Sequence, residues 1–281
     1  MRLGIFAKTF AGTAPGTVID QARAAGYSAV QYNMACSGLA SMPDDISNDT
    51  AAAVAMAARR AGMTVAAVSG TYNMIHPDGA VRAKGLVRLE ILARACAALD
   101  TRVITLCTGT RDAEDQWRHH PDNETPEAWS DLIAEMEKAA EIAERYDLDL
   151  GIEPELANVV NSAAKARHLI DQLGSPRLKI ILDPANLFEM EPPDRQRDIV
   201  SEAIDLLADR IVMGHAKDRI AVGIFTTAGN GVLDYRHYVG RLVSAGFEGA
   251  LITHGLEAAE AAGVAKFLAG VLAECGVELA A

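Results

Sequence analysis

The chain has 281 residues, half of them apolar and 23% charged, enough to bury a large core without disulfide help. Aspartate and glutamate number 38 against 26 lysines and arginines, a formal charge of −12 that disfavours phosphate backbones and leaves no nucleic acid partner expected. Cys36, Cys96, Cys107 and Cys275 lie far apart with no C-x-x-C, which argues against a zinc ribbon or a disulfide framework.

The opening MRLGIFAKTF lacks the apolar core of a signal peptide, and no apolar run approaches the ~18 residues of a membrane span. A reduced, cytoplasmic protein without membrane contact is expected.

Short β-branched runs alternate with alanine-rich stretches of helical period, the order of parallel strands joined by crossover helices. The expected strands are Leu3–Ala7, Ala29–Tyr32, Thr64–Ser69, Val103–Cys107, Leu148–Glu153, Leu178–Asp183, Ile211–His215 and Ala250–His254. Between them the pattern predicts helices over 15–25, 48–61, 79–98, 126–145, 162–173, 195–208, 234–245 and 257–274. Thr125-Pro126-Glu127 supplies a cap, a proline at the first helical position and an early acid. In that helix Leu132, Met136, Ala139, Ala140 and Ala143 form an apolar stripe at spacings of three and four. Gly26, Gly62 and Gly246 each follow a helix, and A-G-x-x recurs in AAGYSAV, RAGMTVA and SAGFEGA, an echo that suits repeated units.

Eight units of roughly 30–35 residues predict a closed (β/α)8 TIM barrel, one domain over 1–281. The first strand lacks a following G-x-G-x-x-G, which weakens a dinucleotide-binding sheet. In a barrel, chemistry sits at the carboxyl ends of the strands. There the fifth strand, LDLGIEPE, delivers Glu153; the sixth, LKIILDPAN, delivers Asp183; the seventh, RIVMGHAKD, delivers His215; the eighth, GALITHG, delivers His254. Such mixed oxygen and imidazole donors suit one divalent ion, Mn, Mg, Co or Zn, able to polarise a carbonyl or hydroxyl. The plainer alternative for each is a polar cap bonding loop amides; for His254, an acid, base or outer donor is open beside a ligand role.

The loops add candidates for a carbohydrate substrate. Asn73 and His76 follow the third strand, and both residue types bond sugar hydroxyls as donor and acceptor. The long loop after the fourth strand carries Trp117, His120 and Asn123, a composition suited to a lid in which the indole stacks on a sugar face. Asn186, in ILDPANL, is grouped with them. Lys217 is placed to stabilise an enediolate oxygen or an anionic group, with a rim ion pair to Asp218 as the alternative.

The phrases GIEPE, ILDPANL, GHAKD and GNGVLDY resemble the xylose-isomerase-like superfamily of sugar-phosphate isomerases and epimerases, over essentially the whole chain. The resemblance implies a (β/α)8 barrel with a divalent ion held by Glu153, Asp183 and His215. It further implies a homo-oligomer. In the epimerases the fourth ligand is a glutamate of the eighth strand, and two glutamates move protons on opposite faces of the substrate. Here His254 stands at that position, so Glu153 is the expected base, with His254 as its candidate partner, or a group such as Glu257 or Lys217 in the second role. Relatives among the apurinic endonucleases place a histidine where this chain has Asn186, which argues against a trinuclear nuclease. An isomerase or epimerase acting on a small ketose, polyol-derived ketone or sugar acid is the leading expectation. A metal-dependent lyase or hydrolase on an oxidised sugar, or a silent sugar-binding barrel, stays open beside it.

Overall fold

The computed structural model describes residues 1–279. Its barrel strands are β1 (Arg2–Phe6), β2 (Ala29–Tyr32), β3 (Thr64–Ser69), β4 (Val103–Cys107), β5 (Asp149–Glu153), β6 (Leu178–Leu182), β7 (Ile211–Ala216) and β8 (Ala250–Thr253). They pair in parallel in chain order, and β8 closes on β1. The helices are α1 (Pro15–Ala24), α2 (Asn48–Arg60), α3 (Gly79–Leu99), α4 (Pro126–Arg145), α5 (Ala163–Leu173), α6 (Pro193–Leu207), α7 (Tyr235–Ser244) and α8 (Ala261–Glu274). The fold is therefore the TIM barrel expected, with Ala280 and Ala281 outside the described residues. Among the described residues no helix is long and apolar enough to cross a membrane.

Local differences from expectation have local causes. Asp183 and His254 fall just past their strands rather than inside them. Pro184 has no N–H to continue the ladder, and the Asp183 carboxylate instead caps the 3-10 turn Pro184–Asn186 by accepting from Ala185 N at 3.0 Å. The last helix starts later, at Ala261, because Glu257 and Glu260 close a capping box over a preceding 3-10 turn. One element had no foreseen counterpart. In the loop after β7, Asp218–Arg219 pairs antiparallel with Phe225–Thr226.

The core lies in two places. The larger part fills the space between sheet and helices; a smaller plug of Ala29, Ala67, Ile181, Met213, Ala250 and Ile252 fills the barrel itself. Gly4 and Gly151 share that interior, since a Cβ on Gly4 would overlap Ile252 and one on Gly151 would overlap Ile181. Side chains on one face of a strand repeat every second residue. Two residues beyond Ala29, Gly151, Ile181, Met213 and Ile252 come Gln31, Glu153, Asp183, His215 and His254. A polar layer thus sits directly above an apolar floor at the carboxyl end of the barrel. Two tyrosines of α7 hold this end in place: Tyr238 Oη donates to Leu182 O at 2.9 Å, and Tyr235 Oη donates to Lys217 O at 3.0 Å.

Candidate metal centre

Glu153, Asp183, His215 and His254 each offer one ligand atom, and these atoms all lie within 4.8 Å of one another. His215 Nδ1 is 3.1 Å from Glu153 Oε1, His254 Nε2 is 2.9 Å from Asp183 Oδ2, and the two imidazole rings lie 4.5 Å apart. With metal–ligand bonds of about 2.0–2.6 Å, opposed ligands of one ion fall about 4–5 Å apart. The separations therefore fit a single ion, and two carboxylates balance its charge. The donor set also suits a borderline divalent metal.

Electrostatics keep these groups in the form a cation needs. Burial pushes up the carboxyls of Glu153 and Asp183, but the opposing charges outweigh it: His215 holds Glu153 below the usual carboxylate range, and Lys217 with His254 holds Asp183 well below it. Burial and the neighbouring His215 lower the proton affinity of His254, which favours the neutral imidazole that a ligand requires.

Lys217 and Asn186 belong to the same cluster. Lys217 Nζ donates to Asn186 Oδ1 at 2.7 Å and stands 3.4 Å from Asp183 Oδ2, while Asn186 Nδ2 donates to Glu153 Oε1 at 2.9 Å. The Asn186 amide thereby links the lysine to the glutamate. Phe225, from the unforeseen strand pair, lies under the lysine ammonium, 3.7 Å from ring centroid to Nζ. Asp218 does not pair with Lys217. Its carboxylate collects the N–H groups of Arg219, Gly229, Gly231 and Leu233 at 2.8–3.2 Å, and so builds the loop that carries the GNGVLDY phrase.

Above the four donors opens a pocket of about 440 Å³. Its β5–β8 side carries Glu153, Glu155, Asn186, His215, Lys217, Phe225 and His254; its β1–β4 side carries Phe6, Lys8 and a set of neutral hydrogen bonders, Gln31, Asn33, Ser41, Ser69, Thr71 and Thr105. Gln116 and Trp117 reach in from the loop after β4. Trp117 is 53% exposed, its indole available to a ligand.

Four loop residues expected at the substrate lie instead outside the pocket wall, because their polar atoms are used by the loops themselves. Asn73 donates to Thr110 O at 2.8 Å and accepts from Thr110 N at 3.0 Å. His76 Nε2 meets Ala113 O at 3.1 Å, and its Nδ1 accepts from Asp78 N at 3.0 Å. His120 Nδ1 accepts from Asp122 N at 3.2 Å. Asn123, 1% exposed, accepts from Thr110 Oγ1 and Arg111 N and donates to Ala157 O at 2.9 Å. Asn73 and His76 tie the loop after β3 to that after β4, His120 braces a turn within the latter, and Asn123 ties it to the loop after β5; of the expected lid residues Trp117 lines the pocket, and His120 and Asn123 do not.

Sequence reading also passed over Gln31, Thr105 and Phe225. Gln31 and Thr105 had a signal, a lone polar residue within an otherwise apolar strand at the parity of the site. Phe225 had none.

A family model described as xylose isomerase-like TIM barrel matches residues 19–274. Among solved structures, L-ribulose 3-epimerase superposes with a TM-score of 0.78 at 18% identity, covering 98% of this chain and 95% of that one. The 3-keto-D-glucoside 4-epimerase YcjR from E. coli gives 0.74 at 16% over 98% and 99% of the two chains. The IOLI protein with a bound zinc atom gives 0.73 at 15% over 98% and 99%. At these identities the likeness is one of fold. A search of curated protein sequences finds no match. The match over nearly the whole barrel, with the four donors on its last four strands, places the chain in the xylose isomerase-like TIM barrel family.

Proposed function

We propose that the protein is a divalent-metal-dependent sugar isomerase or epimerase, acting on a small ketose, polyol-derived ketone or sugar acid by proton transfer next to a carbonyl. One observation carries the reading: four donors from four consecutive strands converge within 4.8 Å at the floor of a pocket with a wall of neutral hydrogen bonders. The epimerases named among the structural neighbours support it. A bound ion would supply Lewis acidity to substrate oxygens beside the carbonyl.

The chain's own residues do the rest. Glu153, ionised at neutral pH and steered by Asn186 Nδ2, takes the proton from carbon. Lys217, held between Asn186 and Asp183, presents its ammonium to the oxygen that gains charge as the enediolate forms. His254, if it stays off the ion, would take a proton from solvent and return it to carbon, while Glu153 releases the proton it took to solvent. Trp117 covers the open side of a sugar ring. A homo-oligomer in the cytoplasm belongs to the same reading, and sedimentation analysis tests its oligomeric part.

The deciding experiment is elemental analysis of the purified protein with Glu153→Gln and Asp183→Asn beside it, followed by ketoses in D2O. About one equivalent of Mn, Co or Zn, lost in both variants, with deuterium entering beside the carbonyl, is the expected result. No metal after millimolar Mn²⁺ or Mg²⁺ would favour a silent sugar-binding barrel. Metal with product fragments in place of an isomer would favour a lyase or hydrolase, a course compatible with His254 standing where the epimerases use glutamate.

A further inference from the structure

We infer that Gln31 is a positioning residue for the metal centre, fixing which nitrogen of His215 is free to bind the ion; the inference rests on the metal-centre reading above. Gln31 is buried at 6% exposure in β2, and it spans the barrel interior to β7, where its Oε1 lies 2.8 Å from His215 Nε2. Its other amide atom, Nε2, donates to Thr105 Oγ1 of β4 at 3.3 Å. With these two bonds the amide is held across the barrel, its oxygen on the histidine side.

An amide oxygen only accepts. His215 Nε2 therefore donates to Gln31 and is taken up by that bond, which leaves Nδ1, 3.1 Å from Glu153 Oε1, as the nitrogen facing the cluster. Glu153 Oε1 also accepts from Asn186 Nδ2 at 2.9 Å, so the carboxylate and Nδ1 converge from two strands on the place where an ion would be shared between them. With the amide reversed, His215 would hold its proton on Nδ1 and give it to Glu153, and the pair would satisfy itself as an ordinary hydrogen bond with no ligand nitrogen to offer. Gln31 is what excludes that closed arrangement. A histidine ligand whose far N–H is held by a fixed acceptor is the general device by which tautomer and ring orientation are set.

The test uses the full chain, stripped with EDTA, and Mn²⁺ as the probe. Wild type, Gln31→Leu and Gln31→Glu are titrated by calorimetry, and the imidazole nitrogens of the metal-free wild type are read by ¹⁵N NMR, with His215 assigned by its loss in His215→Asn. The expected results are Mn²⁺ affinity about 10–100-fold weaker in Gln31→Leu, affinity no weaker than wild type in Gln31→Glu, which keeps the acceptor, and a protonated Nε2 in the metal-free wild type. A bare Nε2 in that spectrum overturns the inference, and it needs no variant to fold. Wild-type affinity in Gln31→Leu also overturns it while leaving the metal centre standing, whereas a wild type that binds no Mn²⁺ overturns the metal-centre reading first and Gln31's role with it.

Discussion

Replacing Gly151 by alanine tests whether the apolar floor sets the position of the donors above it. The new Cβ would stand 2.5 Å from Ile181 Cδ1 and 2.8 Å from Cγ1, inside any normal carbon contact, and Ile181 is fully buried. Overpacking of this kind costs about 1–3 kcal/mol, and the smaller entropy of the unfolded alanine chain returns about 0.4–1 kcal/mol. A net loss of about 1–2 kcal/mol follows, read as a lower urea midpoint at unchanged slope. The strain falls two residues before both Glu153 and Asp183, so metal affinity falls with it. Ile181→Ala alone destabilises through the cavity it opens, by about 2–5 kcal/mol, but in the double variant the alanine at 151 partly refills that space. The cycle should therefore show favourable coupling of at least about 0.5 kcal/mol. Additive losses, or a Gly151→Ala protein as stable as wild type, would refute the idea that this glycine exists to admit the isoleucine.

Asn123→Ala should lower stability by about 1–3 kcal/mol, since it strands Arg111 N and Ala157 O without partners; a pure KM effect with unchanged unfolding would return Asn123 to the substrate. Trp117→Ala should do the reverse, raising KM while leaving the urea midpoint within about 0.5 kcal/mol of wild type, because the indole is half exposed and surface changes are small; an unchanged KM would remove the lid. His254→Ala should reduce turnover by about 100-fold or more if the imidazole transfers a proton, and near-normal turnover would take it out of the mechanism.

The barrel and its four donors were readable in the chain because one physical rule produces both. Each strand is an apolar run buried on two faces, and its polar terminator stands out against that run: Glu153 after Ile152, Asp183 after Leu182, His215 after Gly214, His254 after Thr253. The loops obey no such rule. An amide such as Asn73 or Asn123 bonds a sugar hydroxyl and a backbone amide equally well, and only the path of the chain decides which it meets. Gln31 was visible as a polar residue in AVQY, yet its partner lies 184 positions away, a distance that local pattern does not bridge. Phe225 depends on a two-residue ladder too short to leave a periodic trace.

The rim is divided in its labour. Every candidate metal donor comes from β5 to β8, whereas the neutral hydrogen bonders of the pocket, Asn186 and Gln116 apart, come from the β1 to β4 side. On the proposed reading, chemistry and recognition would be carried by two consecutive halves of one polypeptide, whose strands pair with each other at the β4–β5 and β8–β1 seams. If the proposed function holds, such a layout would let the first half drift toward new sugars while the second conserves the reaction. A chimera that keeps residues from β5 onward and borrows β1 to β4 from a relative would inherit the candidate donors intact. The glutamine that crosses between the halves is a residue such a graft would have to bring along.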